Sequence, residues 1–131
     1  MIRPAPAARV IQVFARAPVA GTVKTRLIPA LGAAGAARLH ARMVEHTLDV
    51  AEGWLAAQAA RRAATVRRQH GGDLGERMRA ALSVALAGGA RAVLVGSDCP
   101  ARSPREFLDA FDALEGGHDV VLQPALDGGY T

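Results

Sequence analysis

Five residues of this chain have the types and spacing to handle a phosphorylated ligand: the carboxylates Asp98 and Asp127, and the cations Arg16, Lys24 and Arg26. Arginine grips phosphate oxygens with a two-pronged guanidinium and lysine acts as a compact charge, so the cations within residues 16–26 could hold a diphosphate. Magnesium needs only one or two carboxylates when substrate phosphates and waters complete its shell. Two aspartates opposite a cationic loop would therefore suffice for metal-assisted chemistry at a diphosphate. The same residues also suit plainer roles. Asp98 has the chemistry of a turn cap before Pro100, Asp127-Gly128 is a common turn pair, and the cations fit an ordinary solvated loop.

The elements flanking these residues decide whether they can meet. Residues 92–95 form an apolar run too short for a helix and bounded by Gly96, which reads as a buried strand of a parallel sheet. In open α/β sheets, ligands bind outside the carboxyl ends of the strands, and Gly96-Ser97-Asp98 delivers a carboxylate there. Residues 9–15, rich in valine, isoleucine and phenylalanine, read as a first strand. It leads into residues 16–29, which Pro18, Gly21 and Pro29 mark as a structured loop. A third strand is predicted at residues 119–122, ahead of Asp127.

Between the strands, Leu39, Met43, Thr47, Val50 and Trp54 recur at helical spacing and predict an amphipathic helix over residues 33–55, followed through residue 70 by more helix and then loop. Asp73 and Glu76 form a capping box that opens a second helix, with Met78, Ala81, Leu82, Ala85 and Leu86 inward and Gly88-Gly89 as its stop. Ser103 and Glu106 predict another box, with Pro104 in the first turn and Phe107, Leu108, Phe111 and Leu114 inward. Alternating strands and helices give an α/β fold, and right-handed crossovers make the strands parallel. All the strand ends then converge on one edge.

Composition narrows the function classes. A chain of 131 residues suits one domain, expected here at residues 9–131 behind a flexible leader at 1–8. The single cysteine, Cys99, cannot form an internal disulfide and fits a reducing, cytoplasmic setting; a small buried residue is the simpler role for it. No segment has the apolar length of a membrane span. The net charge of +4 is spread along the chain, and the only arginine cluster, at 61, 62, 67 and 68, has no aromatic residue to stack on bases. That pattern disfavours nucleic acid and fits a helix face or a phosphorylated small molecule. The four histidines lack metal-ligand spacing. A Walker A loop needs glycine directly before its lysine, and here Val23 precedes Lys24, the only lysine, so an ATPase of that type is excluded.

Four blocks, taken together, carry a family resemblance: residues 14–27 (FARAPVAGTVKTRL), 72–78 (GDLGERM), 96–100 (GSDCP) and 127–130 (DGGY). The chain resembles the GT-A-type glycosyltransferases assigned to arsenosugar biosynthesis, a nucleotide-diphospho-sugar transferase-like group formerly a domain of unknown function. The resemblance implies a Rossmann-like, three-layer α/β/α fold with a mainly parallel sheet, and a sugar nucleotide bound with Mg²⁺ or Mn²⁺. It places Arg16, Lys24 and Arg26 at the phosphates, in a loop shaped by Pro18 and Gly21. Asp98 takes the part of the metal-binding acidic motif, Asp127 joins it as a catalytic carboxylate, and Asp73 and Arg77 line the nucleotide site. Guanylyltransferases of the same superfamily supply an alternative, nucleotidyl transfer from a nucleoside triphosphate. Members of the family carry a further strand before the GDLGER block and continue past DGGY, so a shortened form is expected here. A silent nucleotide-binding or assembly module is the third reading, in which an unpaired sheet edge would favour homo-oligomers.

Overall fold

The computed structural model describes residues 2, 7–58, 68–126 and 128. Its elements run β1 (Arg9–Phe14), α1 (Ile28–Ala57), α2 (Leu74–Ala87), β2 (Arg91–Gly96) and α3 (Pro104–Glu115), with a short 3-10 turn at Thr25–Leu27. The strands pair in parallel from Arg9 opposite Arg91 to Phe14 opposite Gly96. Both therefore end at the same edge, and the loops leaving β1 and β2 emerge side by side.

Side chains alternate across a strand, so Ile11, Val13, Val93 and Val95 share one face. They pack on a core of Ala51 and Trp54 from α1 and Phe107 and Phe111 from α3. The Trp54 and Phe111 rings stack with centroids 4.9 Å apart. Arg9 covers both rings, and its guanidinium is clamped by Glu115 through bonds of 2.7 and 2.8 Å. On the opposite face Gln12 donates from Nε2 to the Ala81 carbonyl at 2.8 Å, which brings α2 against β1.

Sequence and structure agree on both strands and on the helices within a few residues. The long helix straightens only after Gly32, whose φ of 71° and ψ of 163° break the helical path, so its regular part begins where residues 33–55 were predicted to start. Leu39, expected inward, is exposed, and small Ala36 and Ala37 with His40 are buried in that turn. Leu86 and Leu108 also lie outward.

Two expectations fail for identifiable reasons. Residues 119–122 form no strand, and the described sheet has two strands: Val120 is 72% exposed, with Val121 and Leu122 outward as well. β-propensity expresses itself only where a partner strand buries the side chains. The Ser103 box does not close either. Ser103 makes no side-chain cap bond, the Glu106 N–H going to the Ser103 carbonyl at 3.3 Å, and the Glu106 carboxylate turns to Arg102 instead of reaching back to the Ser103 N–H. The predicted helix-then-loop at 56–70 falls largely on residues 59–67, outside the described set.

Candidate functional site

The loop leaving β1 is built from its own backbone. Val19 donates to the Ala17 carbonyl at 2.8 Å, and the backbone N–H and hydroxyl of Thr22 both reach the Val19 carbonyl, at 3.1 and 2.8 Å. Gly21 turns the chain at φ 85°. Val23 is then driven inward, 3% exposed, and fixes the loop to the body of the protein. Buried His40 on α1 donates from Nε2 to the Arg16 carbonyl at 2.8 Å, anchoring the loop's start.

Lys24 follows at φ 50° and ψ 40°, the one described non-glycine residue in the left-handed region. That conformation costs an L-residue about 1–2 kcal/mol. It directs the ammonium across the strand ends, where Nζ donates to Oδ1 of Asp98 at 2.8 Å. The two loops thus meet through a cation and a carboxylate separated by 74 positions in sequence. The lysine side chain is 18% exposed and the aspartate 72%, so the carboxylate faces solvent while the cation lies against the protein.

Behind Asp98, Ser97 is buried and the backbone N–H of Arg102 closes a turn to the Cys99 carbonyl at 3.2 Å. The Arg102 side chain is 1% exposed and pairs through Nη1 with Glu106 at 3.1 Å, leaving its Nε with no described partner. His40 and Arg102 therefore hold the two loops from beneath. Sequence reasoning passed over both, since a lone histidine and a loop arginine give no signal until their partners are known.

The remaining candidates are distributed differently. Arg16, Pro18 and Arg26 are exposed on the first loop, and neither arginine forms an ion pair among the described residues. Asp73 caps α2, its Oδ1 accepting from the Glu76 N–H at 2.8 Å, while the Glu76 carboxylate accepts from the Gly72 N–H. Arg77 donates from Nε to the Gly71 carbonyl at 3.2 Å. The block at 72–78 is thus a reciprocal helix cap, with no hydrogen bond to the Lys24–Asp98 pair among the described residues. Asp127 lies outside the described residues. A groove of about 250 Å³ between α3 and residues 121–124 includes Glu106 and Asp109 in its lining and no cation, which suits no diphosphate.

Parallel strands whose carboxyl ends carry a cationic loop and an exposed carboxylate define an α/β protein with its polar groups gathered at the edge where such folds take ligands. The chain belongs to the family described as "Uncharacterized protein conserved in bacteria (DUF2064)", which matches residues 30–131. Comparison with curated proteins gives no match. Among solved structures, a "putative nucleotide-diphospho-sugar transferase" from Desulfovibrio desulfuricans G20 is similar at 31% identity and a TM-score of 0.78, over 95% of this chain. The chain spans 62% of that protein's length. No described helix is long and apolar enough to cross a membrane.

Proposed function

We propose that this chain forms the donor-binding part of a metal-assisted glycosyltransferase that uses a nucleotide-diphosphate sugar. The Lys24–Asp98 pair carries the reading: it joins a phosphate-binding cation to a metal-binding carboxylate at the carboxyl ends of two parallel strands. The similarity to a protein described as a nucleotide-diphospho-sugar transferase supports the ligand class. In this reading the described strands and helices are the kernel of a three-layer, GT-A-type sheet. The arsenosugar acceptor rests on the sequence resemblance alone.

The residues fit a divalent cation of a particular kind. No cluster of three or more histidine, cysteine or acidic side chains occurs among the described residues, so no protein-built cage exists there. Asp98 instead offers an exposed carboxylate beside a cationic loop, which suits Mg²⁺ or Mn²⁺ held mainly by substrate phosphates and water. When bound, such a cation would supply Lewis-acid neutralisation of the departing diphosphate. Lys24 contributes a fixed positive charge at the same place, and Arg16 and Arg26 are free to close on the outer phosphate oxygens. Preorganised charge of this sort is usually the largest catalytic contribution. Val23 and His40 hold that charge in place before the ligand arrives.

Calorimetric titration of sugar nucleotides and nucleoside triphosphates, with and without Mn²⁺, tests the reading. Metal-enhanced binding of sugar nucleotides is expected. Asp98→Asn should remove the metal enhancement while the circular dichroism spectrum stays unchanged. Absence of binding by both ligand classes with metal present would overturn it. Pyrophosphate release from a triphosphate, instead of nucleoside diphosphate release from a sugar nucleotide, would convert the assignment to nucleotidyl transfer.

A further inference from the structure

The Lys24–Asp98 bond has a consequence for how ligands enter. We infer that this pair is an exchange latch: in the ligand-free protein Lys24 and Asp98 neutralise each other, and a divalent cation and a diphosphate replace that bond jointly, so each ligand promotes the other's binding. The inference rests on the donor-binding reading and adds the order and coupling of binding.

The geometry supplies the reasons. Oδ1 of Asp98 is the atom that Lys24 Nζ occupies at 2.8 Å, and a hard cation would use that same carboxylate. A cation arriving alone must displace the ammonium and then sit beside it, a like-charge contact. A diphosphate arriving alone must draw Lys24 from Asp98 and then face an uncompensated carboxylate. When both arrive, charges alternate across the site: carboxylate, metal, phosphate, ammonium. Lys24 cannot simply swing into solvent, because its side chain is only 18% exposed and its backbone is held by buried Val23 and by the Leu27 N–H bond to the Lys24 carbonyl at 2.8 Å. Asp98, 72% exposed, is the accessible half, which makes the metal's approach the step that releases the lysine.

Thermodynamic coupling is reciprocal, so the latch predicts two mirror-image gains of binding. An exposed ion pair is worth a few-fold in an equilibrium constant, which sets the scale. Lys24→Met should bind Mn²⁺ in the absence of nucleotide about two- to fivefold more tightly than the wild type, by electron paramagnetic resonance of free Mn²⁺. Asp98→Asn should bind a nucleoside diphosphate without metal about two- to fivefold more tightly, by calorimetry with UDP, GDP, ADP and CDP as probes. Lys24→Met should at the same time lose about tenfold or more in affinity for the preferred diphosphate in the presence of Mn²⁺, having lost a charge-assisted bond. Misfolding cannot produce a gain of affinity, which keeps both variants informative. Unchanged or weaker Mn²⁺ binding in Lys24→Met, or unchanged or weaker metal-free diphosphate binding in Asp98→Asn, would overturn the latch while the donor-binding reading stood on the wild type's metal-enhanced binding. If the wild type binds none of the diphosphates with Mn²⁺ present, the donor-binding reading and the latch fall together.

Discussion

The ion pair between Arg102 and Glu106 predicts an asymmetric response to mutation. The arginine side chain is 1% exposed and the glutamate 23%. Removing one partner of a buried pair costs about 3–5 kcal/mol because the other charge is left unpaired in a poorly solvated place. That penalty falls unequally here. Glu106→Leu strands a guanidinium whose Nε already lacks a described partner, so about 3–5 kcal/mol is expected. Arg102→Met removes the more deeply buried charge of the pair, fills a similar volume, and leaves a carboxylate that can rehydrate at the first turn of α3, where negative charge is worth about 0.3–1 kcal/mol. Its cost should be about 1 kcal/mol or less. The double variant Arg102→Met/Glu106→Leu should lie close to the wild type, since replacing a buried pair with apolar groups is often neutral or stabilising. Urea denaturation of the four proteins, with the slopes compared to confirm a common unfolding transition, gives the cycle directly. A larger loss in Arg102→Met than in Glu106→Leu would refute the reasoning. It would mean that the arginine is held by partners other than Glu106.

Asp73→Ala should lower stability by about 1 kcal/mol through loss of the α2 cap, and Asp73→Ser should restore most of it. Nucleoside diphosphate affinity should be unchanged in the serine variant, because the Asp73 carboxylate is committed to the Glu76 N–H; a fall in affinity at retained stability would place Asp73 at the nucleotide site. Gln12→Leu exchanges one hydrogen bond, worth about 0.5–1.5 kcal/mol, for relief of the unpartnered buried Oε1, worth about 1–3 kcal/mol. Thermal unfolding should therefore show equal or greater stability, and a loss of more than about 1.5 kcal/mol would show that Oε1 has a partner.

What was legible in the sequence is what local chemistry decides. Asp73 and Glu76 sit three apart and close a cap with backbone atoms beside them, so their pattern sufficed. The run at 92–95 is apolar on both faces because helices cover it, and its ends follow from Gly89 and Gly96. Ser103 and Glu106 show the same spacing as Asp73 and Glu76 and still form no box: the Glu106 N–H bonds the Ser103 carbonyl, and a competing cation one residue before the serine takes the Glu106 carboxylate. Spacing identifies what a side chain can reach. It leaves open which of two partners within reach is taken, and a charged guanidinium lacking water competes better than a backbone N–H at a solvated helix end. Residues 119–122 fail in the same way, their strand pattern being real and their partner absent from the described sheet.

The site itself was legible as two loops and illegible as a junction. Arg16, Lys24 and Arg26 all read as candidate phosphate ligands in the sequence, and only the backbone shows which of them meets Asp98. Lys24 takes the left-handed conformation that a glycine would adopt without strain, and its side chain is the one that crosses to Asp98. Strain held at a single non-glycine residue needs support from its surroundings, and Val23 before it and the 3-10 turn after it provide that support. Buried apolar contact at Val23, worth about 1.5–3 kcal/mol, is enough to offset a left-handed residue costing about 1–2 kcal/mol. The loop can therefore hold its one lysine over the carboxylate before any ligand binds. In the donor-binding reading, a lysine presented in this way is already where a diphosphate next to Asp98 would need it, so binding would require an exchange of partners instead of the ordering of a flexible chain.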